Sequence, residues 1–152
     1  MPAFITFGRV LFAVLFIYTG AAKLFGIQAT ADIIAAKVVI PELLAPYASQ
    51  LETITHMPTP QMLAMLVGGF EVLAGVMIAI NFLPRIFSAL MIIFVAGTIY
   101  YFHDFWNQTP PDNAKTLIDA LKNLSIIGAL FMVFGYGRGP RRAAEQTAYG
   151  DI

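Results

Sequence analysis

The chain has 152 residues, of which 59% are apolar and 12% are charged, and its formal net charge is zero. Soluble domains carry about 25% charged residues, and a domain of this size leaves too much surface to bury so many apolar side chains. The composition therefore predicts an integral membrane protein, and the neutral charge gives no indication of nucleic-acid binding. The absence of cysteine excludes disulfides, cysteine-ligated zinc and thiol redox chemistry by this chain.

Four segments are long and apolar enough to cross a bilayer, which takes about 20 residues of helix. They run from about Phe4 to Phe25, Met62 to Phe82, Pro84 to Phe102, and Leu117 to Tyr136. The first could be a cleaved signal peptide, but its apolar run continues through Lys23 to Ile27, and further apolar segments follow. We therefore expect an all-α membrane protein, a bundle of four transmembrane helices.

The connections between these segments differ in length. A tight turn is predicted from Asn81 to Pro84. A loop is predicted from His103 to Lys115, around the turn-forming sequence Pro110-Pro111-Asp112-Asn113. The longest runs from Gln28 to Pro60. It has a predicted helix start at Thr30-Ala31-Asp32, then interruptions at Pro41 and Pro46, and then apolar residues at helical spacing, Leu43, Leu44, Tyr47 and Leu51. This pattern predicts one or two short interfacial helices lying on the membrane face.

The basic residues indicate an orientation. In a four-span arrangement five arginines fall on one side, namely Arg9, Arg85, Arg138, Arg141 and Arg142. The loops on the other side carry five acidic residues together with Lys37 and Lys115. Because basic residues accumulate in cytoplasmic loops, we expect the N- and C-termini and the turn from Asn81 to Arg85 to be cytoplasmic. The remaining loops are then expected to face the periplasm or the cell exterior.

Glu71 is the most informative polar residue, because it lies about ten residues into the second segment, near the expected bilayer centre. A carboxyl group at that depth is usually paired, protonated or placed in a polar cavity. Its helical neighbours Ala64, Gly68 and Gly75 are small, so another helix can approach this face closely. Two interpretations remain open, an acid that carries protons or contacts a substrate, and one member of a buried structural pair.

Lys23, near the outer end of the first segment, is the natural partner for Glu71. Gly20 lies one turn earlier on the same face and leaves room for a neighbouring helix. Lys23 is expected one or two helical turns nearer the outer surface than Glu71. The lysine could therefore pair directly with Glu71 or extend to the interface instead.

Two further polar residues are predicted at helix ends on the same outer side. His103 ends the third segment and could relay protons near neutral pH, although a single interfacial histidine is more often only solvated. Asn123 begins the fourth segment, where an asparagine more often bridges helices than takes part in chemistry. With Lys23 and Glu71 these residues form a candidate polar pocket, Lys23, Glu71, His103 and Asn123. No metal site is expected, because no second histidine lies at a ligand spacing, His56 being in the long connection.

Several motifs together resemble the DoxX family of small bacterial membrane proteins. They are Gly8-Arg9-Val10-Leu11 with Tyr18-Thr19-Gly20-Ala21-Ala22-Lys23-Leu24, then Glu71-Val72-Leu73-Ala74-Gly75, His103-Asp104-Phe105-Trp106, and Lys122-Asn123-Leu124-Ser125-Ile126-Ile127-Gly128. The motifs occur in the family's order along nearly the whole chain, and the connection from Gln28 to Pro60 is longer than is usual. The resemblance implies a single transmembrane domain over residues 1–152 in the bacterial inner membrane.

The resemblance also implies a redox context, since family members are linked to quinone-coupled thiosulfate oxidation and to membrane-associated redox complexes. The first hypothesis is a subunit or anchor of such an assembly without catalysis of its own, with membrane or periplasmic redox proteins as partners. The second is a quinone-reactive oxidoreductase subunit of the thiosulfate:quinone type, with quinone as cofactor near the four pocket residues. A small-solute transporter is weaker, because four helices show no inverted halves. The sequence assigns no catalytic residue and leaves open whether the chain is an enzyme.

Overall fold

The structure is a computed structural model that describes residues 2–137, and all regular secondary structure in that range is helical. The helices are α1 (Pro2–Phe25), α2 (Ile27–Lys37), α3 (Ala45–Thr55), α4 (Thr59–Ala79), α5 (Pro84–Phe102), a 3-10 helix (Phe105–Asn107) and α6 (Asp112–Tyr136). The tail arginines Arg138, Arg141 and Arg142 lie outside the described residues, so the structure does not bear on their predicted side of the membrane.

Four of these helices, α1, α4, α5 and α6, are long and apolar enough to cross a membrane, which confirms the four predicted spans. Four bounds differ from the prediction. Helix α1 begins at Pro2 rather than Phe4, and α4 ends at Ala79 rather than Phe82. Helix α4 begins at Thr59 rather than Met62, and α6 begins at Asp112 rather than Leu117. Hydropathy detects only the part of a helix that suits the hydrocarbon core, whereas backbone hydrogen bonding continues into the polar interface. Asp112 also interacts favourably with the positive end of the α6 dipole.

The connection between α1 and α4 contains two helices of 11 residues each. That they lie on the membrane face stays a prediction. The predicted start at Thr30 is wrong, because α2 begins at Ile27 and follows α1 almost directly. The Thr30 hydroxyl donates to the Gly26 carbonyl at 3.1 Å, one turn back along the chain, so it does not cap the start of a helix. Pro46 does not interrupt the helix either. It lies in the first turn of α3, where its missing N–H has no intrahelical partner to lose.

The chain divides into two compact units, each with its own buried residues. The first unit comprises residues 1–13 and 76–152, and within its described part α5 packs against α6. Its buried apolar residues include Ile78, Met91, Val95 and Leu130. The second unit is Val14–Gly75, with buried residues that include Phe16, Ala31, Ile34, Ala64 and Ala74.

Large apolar side chains are exposed on each of the four long helices. Examples are Phe4 on α1, Leu66 on α4, Ile93 on α5 and Phe131 on α6, each more than half exposed. So much apolar surface is unfavourable in water but suits contact with lipid chains. The exposed surface therefore supports the membrane location that the composition predicted.

The carboxylate of Glu52, in α3, caps the start of α4. One carboxylate oxygen of Glu52 accepts hydrogen bonds from the Thr59 backbone N–H and the Thr59 hydroxyl, both at 2.6 Å. Thr59 is the first residue of α4, so the carboxylate satisfies an N–H that has no intrahelical partner. The hydrogen bond from the Thr59 hydroxyl has the larger effect and the one from its backbone N–H the smaller. Together they hold the pKa of Glu52 below its usual value of 4.5.

This cap predicts a pH-dependent stability difference. A lowered folded-state pKa gives stability that is present above pH 4.5 and is lost as the pH falls through the folded value. Glu52→Gln should therefore lower the melting temperature at pH 7 but not at a pH well below 4. Thermal unfolding in a non-ionic detergent across this range measures both proteins. A difference that stays constant with pH would show that the charge of Glu52 plays no part in capping α4.

Candidate functional site

The site is built where α1 and α4 cross within the second unit, with Gly20 and Gly68 at the contact. Both glycines are buried. A Cβ atom added to Gly20 would lie 2.6 Å from the Gly68 carbonyl oxygen and 2.8 Å from the Glu71 Cβ. A Cβ atom added to Gly68 would lie 2.9 Å from the Gly20 carbonyl oxygen. Only glycine permits this backbone approach, which confirms the predicted close contact at the small-residue face.

The close crossing brings Lys23 directly onto Glu71. The lysine Nζ lies 2.9 Å from Glu71 Oε1 and 2.8 Å from Oε2, so the ammonium group bonds to both carboxylate oxygens. The Thr19 hydroxyl donates to Oε2 at 2.9 Å. The sequence left open whether Lys23 pairs with Glu71 or extends to the interface, and the structure shows the direct pair.

The side chains of Glu71 and Lys23 differ in their exposure to the surroundings of the protein. The Glu71 side chain is 5% exposed, whereas the Lys23 side chain is 32% exposed. A buried carboxylate is costly unless its charge is neutralised and its lone pairs are hydrogen-bonded, and Lys23 and Thr19 meet both needs. The more exposed lysine has another environment within reach and depends less on the pair. The arrangement is therefore a carboxylate held in place by two groups of α1.

Thr19 is the member of this cluster that sequence reasoning missed. It lies four residues before Lys23 on α1, so both side chains project from the same face of the helix. That spacing, within the Tyr18 to Lys23 motif, was the available signal. A threonine in an apolar helix often bonds back to its own backbone, and the Thr19 hydroxyl also lies 3.3 Å from the Phe16 carbonyl oxygen. The bond to Glu71 is the shorter and includes a charged acceptor, so it is the stronger interaction.

His103 and Asn123, the other two predicted pocket residues, belong to the first unit. His103 is the C-terminal cap of α5, and its backbone N–H donates to the Ile99 carbonyl at 3.0 Å. Asn123 lies in α6 with a half-buried side chain. Beside it, Lys122 bonds to Asp119 at 2.9 Å in an exposed pair. That His103 and Asn123 share a pocket with Lys23 and Glu71 stays a prediction.

The cluster contains one carboxylate, one ammonium group and one hydroxyl, which can bind each other or hold and pass a proton. Among residues 2–137 there is no group of three or more His, Cys, Asp or Glu side chains that could hold a metal ion. The absence of a metal site from the whole chain stays a prediction. What the described geometry offers is a polar link between two apolar helices.

Four apolar helices, two of them joined by a partly buried ion pair, define a polytopic α-helical membrane protein. The family model for DoxX matches residues 4–104, and this chain belongs to the DoxX family. The matched range contains Thr19, Lys23, Glu71 and His103, so the ion pair lies wholly within the family region. It ends before α6, and Asn123 therefore lies outside it.

One curated relative supports the same assignment. The chain is 25% identical to inner membrane protein YphA of Escherichia coli over 138 residues, which is 91% of this chain and 86% of the relative. The similarity therefore extends through α6, beyond the region that the family model matches. No solved structure is detectably similar to this chain.

Proposed function

We propose that this chain is an inner-membrane subunit or anchor of a membrane redox assembly and has no catalysis of its own. The observation that carries this proposal is that Lys23 and Thr19 together satisfy the Glu71 carboxylate. Both Glu71 oxygens accept hydrogen bonds from groups of α1, so this buried carboxylate is already used in holding two helices together. The family's link to redox complexes and the inner-membrane location of the YphA relative support the setting.

An anchor needs surface on which other membrane helices can pack, and the long helices provide it. Their exposed apolar side chains offer van der Waals contact without polar groups that would need partners. Partners in this proposal are other membrane or periplasmic redox proteins. The whole chain, residues 1–152, acts as one four-helix transmembrane domain.

The experiment is affinity purification of the full-length protein from its native membrane in a mild detergent, followed by identification of co-purifying proteins and extraction of quinone. The proposal expects redox-enzyme subunits to be recovered and quinone to stay well below one molecule per chain. Glu71→Gln and His103→Ala, measured in parallel, should leave the quinone content unchanged. Recovery of the chain alone, with no redox protein, would contradict the anchor function.

The second candidate function is a quinone-reactive oxidoreductase subunit, and the partial exposure of Lys23 favours it. An ammonium group has three N–H donors, and two of them bond to Glu71. The third would donate to one carbonyl oxygen of a quinone, His103 to the other, and Glu71 would carry a proton, with Asn123 at the rim. Stoichiometric quinone in the wild type that is lost in His103→Ala, at unchanged thermal stability, would establish this function in place of the first.

The orientation proposed for the assembly has both termini and the Asn81 to Arg85 turn in the cytoplasm, with α2 and α3 lying on the opposite face of the membrane. The five arginines on one side support it. Reporter fusions after Pro110 and at the C-terminus are expected to give signals from opposite sides of the membrane. Equal signals from the two fusions would contradict the four-span arrangement.

A further inference from the structure

We infer that a cavity in the first unit binds an anionic phospholipid, with the phosphate on Arg9 and an acyl chain along the apolar wall. The cavity has a volume of about 320 Å³, at the lower end of the range of ligand sites, about 300–1,000 Å³. Its wall is formed by side chains of α1 and α6, mainly Ile5, Phe12, Ala129, Met132 and Val133. Its polar lining includes Arg9 and Asn81.

Arg9 is positioned for an anion, and no carboxylate of the described residues neutralises its charge. Its Nη1 donates to the Asn81 side-chain oxygen at 2.8 Å, which holds the guanidinium against the turn after α4. Its Nε is buried without a hydrogen-bond acceptor, and no carboxylate among residues 2–137 forms an ion pair with it. A guanidinium has five N–H donors in a fork that matches a phosphate. Arg9 therefore retains donors for an anionic group.

The cavity lies at the depth of lipid headgroups. Arg9 is seven residues from the start of α1, about 10 Å along the helix, and Tyr136 and Gly137 of the lining stand at the end of α6. Asn81 belongs to the turn that follows α4. The cavity therefore lies near the ends of α1, α4 and α6. At this depth an arginine side chain can reach lipid phosphates, while the helices themselves contact acyl chains.

The cavity opens toward lipid rather than into the protein. Ile5, Met132 and Tyr136 of its lining are each more than half exposed on the outer surface of this unit. A second arginine stands at the same end, because a Cβ atom on Gly137 would lie 3.2 Å from the Arg85 Cγ. Basic pockets between spanning helices on the cytoplasmic side suit anionic headgroups, and the arginine distribution predicts that side for this end. A free anion would leave the apolar wall uncovered, so a phospholipid fits both parts of the site.

The test uses the purified full-length protein in a neutral detergent, with lipid binding followed by native mass spectrometry. Dioleoyl phosphatidylglycerol and dioleoyl phosphatidylcholine are compared because they share acyl chains and differ in charge. Wild type is expected to bind the anionic lipid about fivefold more tightly, the factor that corresponds to about 1 kcal/mol per basic residue near the surface. Equal affinity for the two lipids would overturn the assignment.

Four variants distinguish the parts of the site. Arg9→Gln should abolish the preference and Arg9→Lys should keep it, whereas Lys115→Gln, which removes a charge outside the cavity, should change nothing. Gly8 lines the cavity and a Cβ atom on it meets no atom within 4 Å, so the side chain in Gly8→Leu begins in open space; it is expected to occupy the apolar part and to weaken binding of the anionic lipid with Arg9 intact. A preference that survives Arg9→Gln, or binding of the anionic lipid that Gly8→Leu leaves unchanged, would overturn the proposal. So would inorganic phosphate that displaces the anionic lipid at equal concentration, since the occupant would then be a free anion.

Discussion

Lys23→Met is expected to lower the free energy of unfolding by about 2.5–3.5 kcal/mol, the cost of an unpaired charge near the bilayer centre. The substitution leaves the Glu71 carboxylate, whose side chain is 5% exposed, with only the Thr19 hydroxyl as a donor. Glu71→Leu is expected to cost less, because the remaining lysine is 32% exposed and can turn toward the interface. The double variant should be more stable than Lys23→Met, since replacing a buried pair by apolar residues removes the unpaired charge.

Unfolding in mixed micelles with increasing sodium dodecyl sulfate measures these differences. Lys122→Met is the matched control, because Lys122 pairs with Asp119 at 2.9 Å while their side chains are 70% and 39% exposed. Exposed pairs contribute about 0–1 kcal/mol, so this variant should stay close to wild type. Additive effects of Lys23→Met and Glu71→Leu in the double variant would show that the two side chains are not coupled.

Gly20→Ala is expected to destabilise the protein by about 1–3 kcal/mol, the usual cost of overpacking a closely packed contact. The added methyl group would meet the Gly68 carbonyl oxygen at 2.6 Å and the Glu71 Cβ at 2.8 Å, and neither atom is the end of a flexible side chain. The helices must therefore separate, which also lengthens the bonds from Thr19 and Lys23 to Glu71. Gly68→Ala should act in the same direction, because its methyl group would meet the Gly20 carbonyl oxygen at 2.9 Å.

The control for this prediction is Gly69→Ala on the same helix. A Cβ atom on Gly69 meets nothing within 4 Å, so the substitution should be neutral or stabilise α4 by about 0.5–1 kcal/mol through reduced chain entropy. The same detergent titration compares the three variants. If Gly20→Ala and Gly69→Ala have equal stability, the close crossing does not contribute to stability in solution.

The number and approximate position of the spanning helices could be predicted from the sequence because bilayer thickness imposes a length on any apolar helix. Glu71 could be identified as the residue in need of a partner for a similar reason, since a carboxyl group near the middle of an apolar span requires compensation wherever the helix packs. The ends of helices were predicted less accurately, since α4 begins at Thr59 and α6 at Asp112, both earlier than expected. A polar first turn carries no hydropathy signal, and in α4 the start is capped by Glu52 from the preceding helix.

Only the tertiary structure decided which groups meet. Lys23 was the leading candidate for Glu71, but pairing depends on the distance between two helix axes, and the mutual approach of Gly20 and Gly68 sets that distance. The hydrogen bond from Thr19 to Glu71 depends on the same distance. Arg9 likewise donates to Asn81, which lies 72 positions away in the sequence. Local sequence determined where the apolar and charged groups lie along each helix, because hydropathy and helical period are local properties. The partner of each charge followed from side-chain packing between helices, which no local pattern specifies.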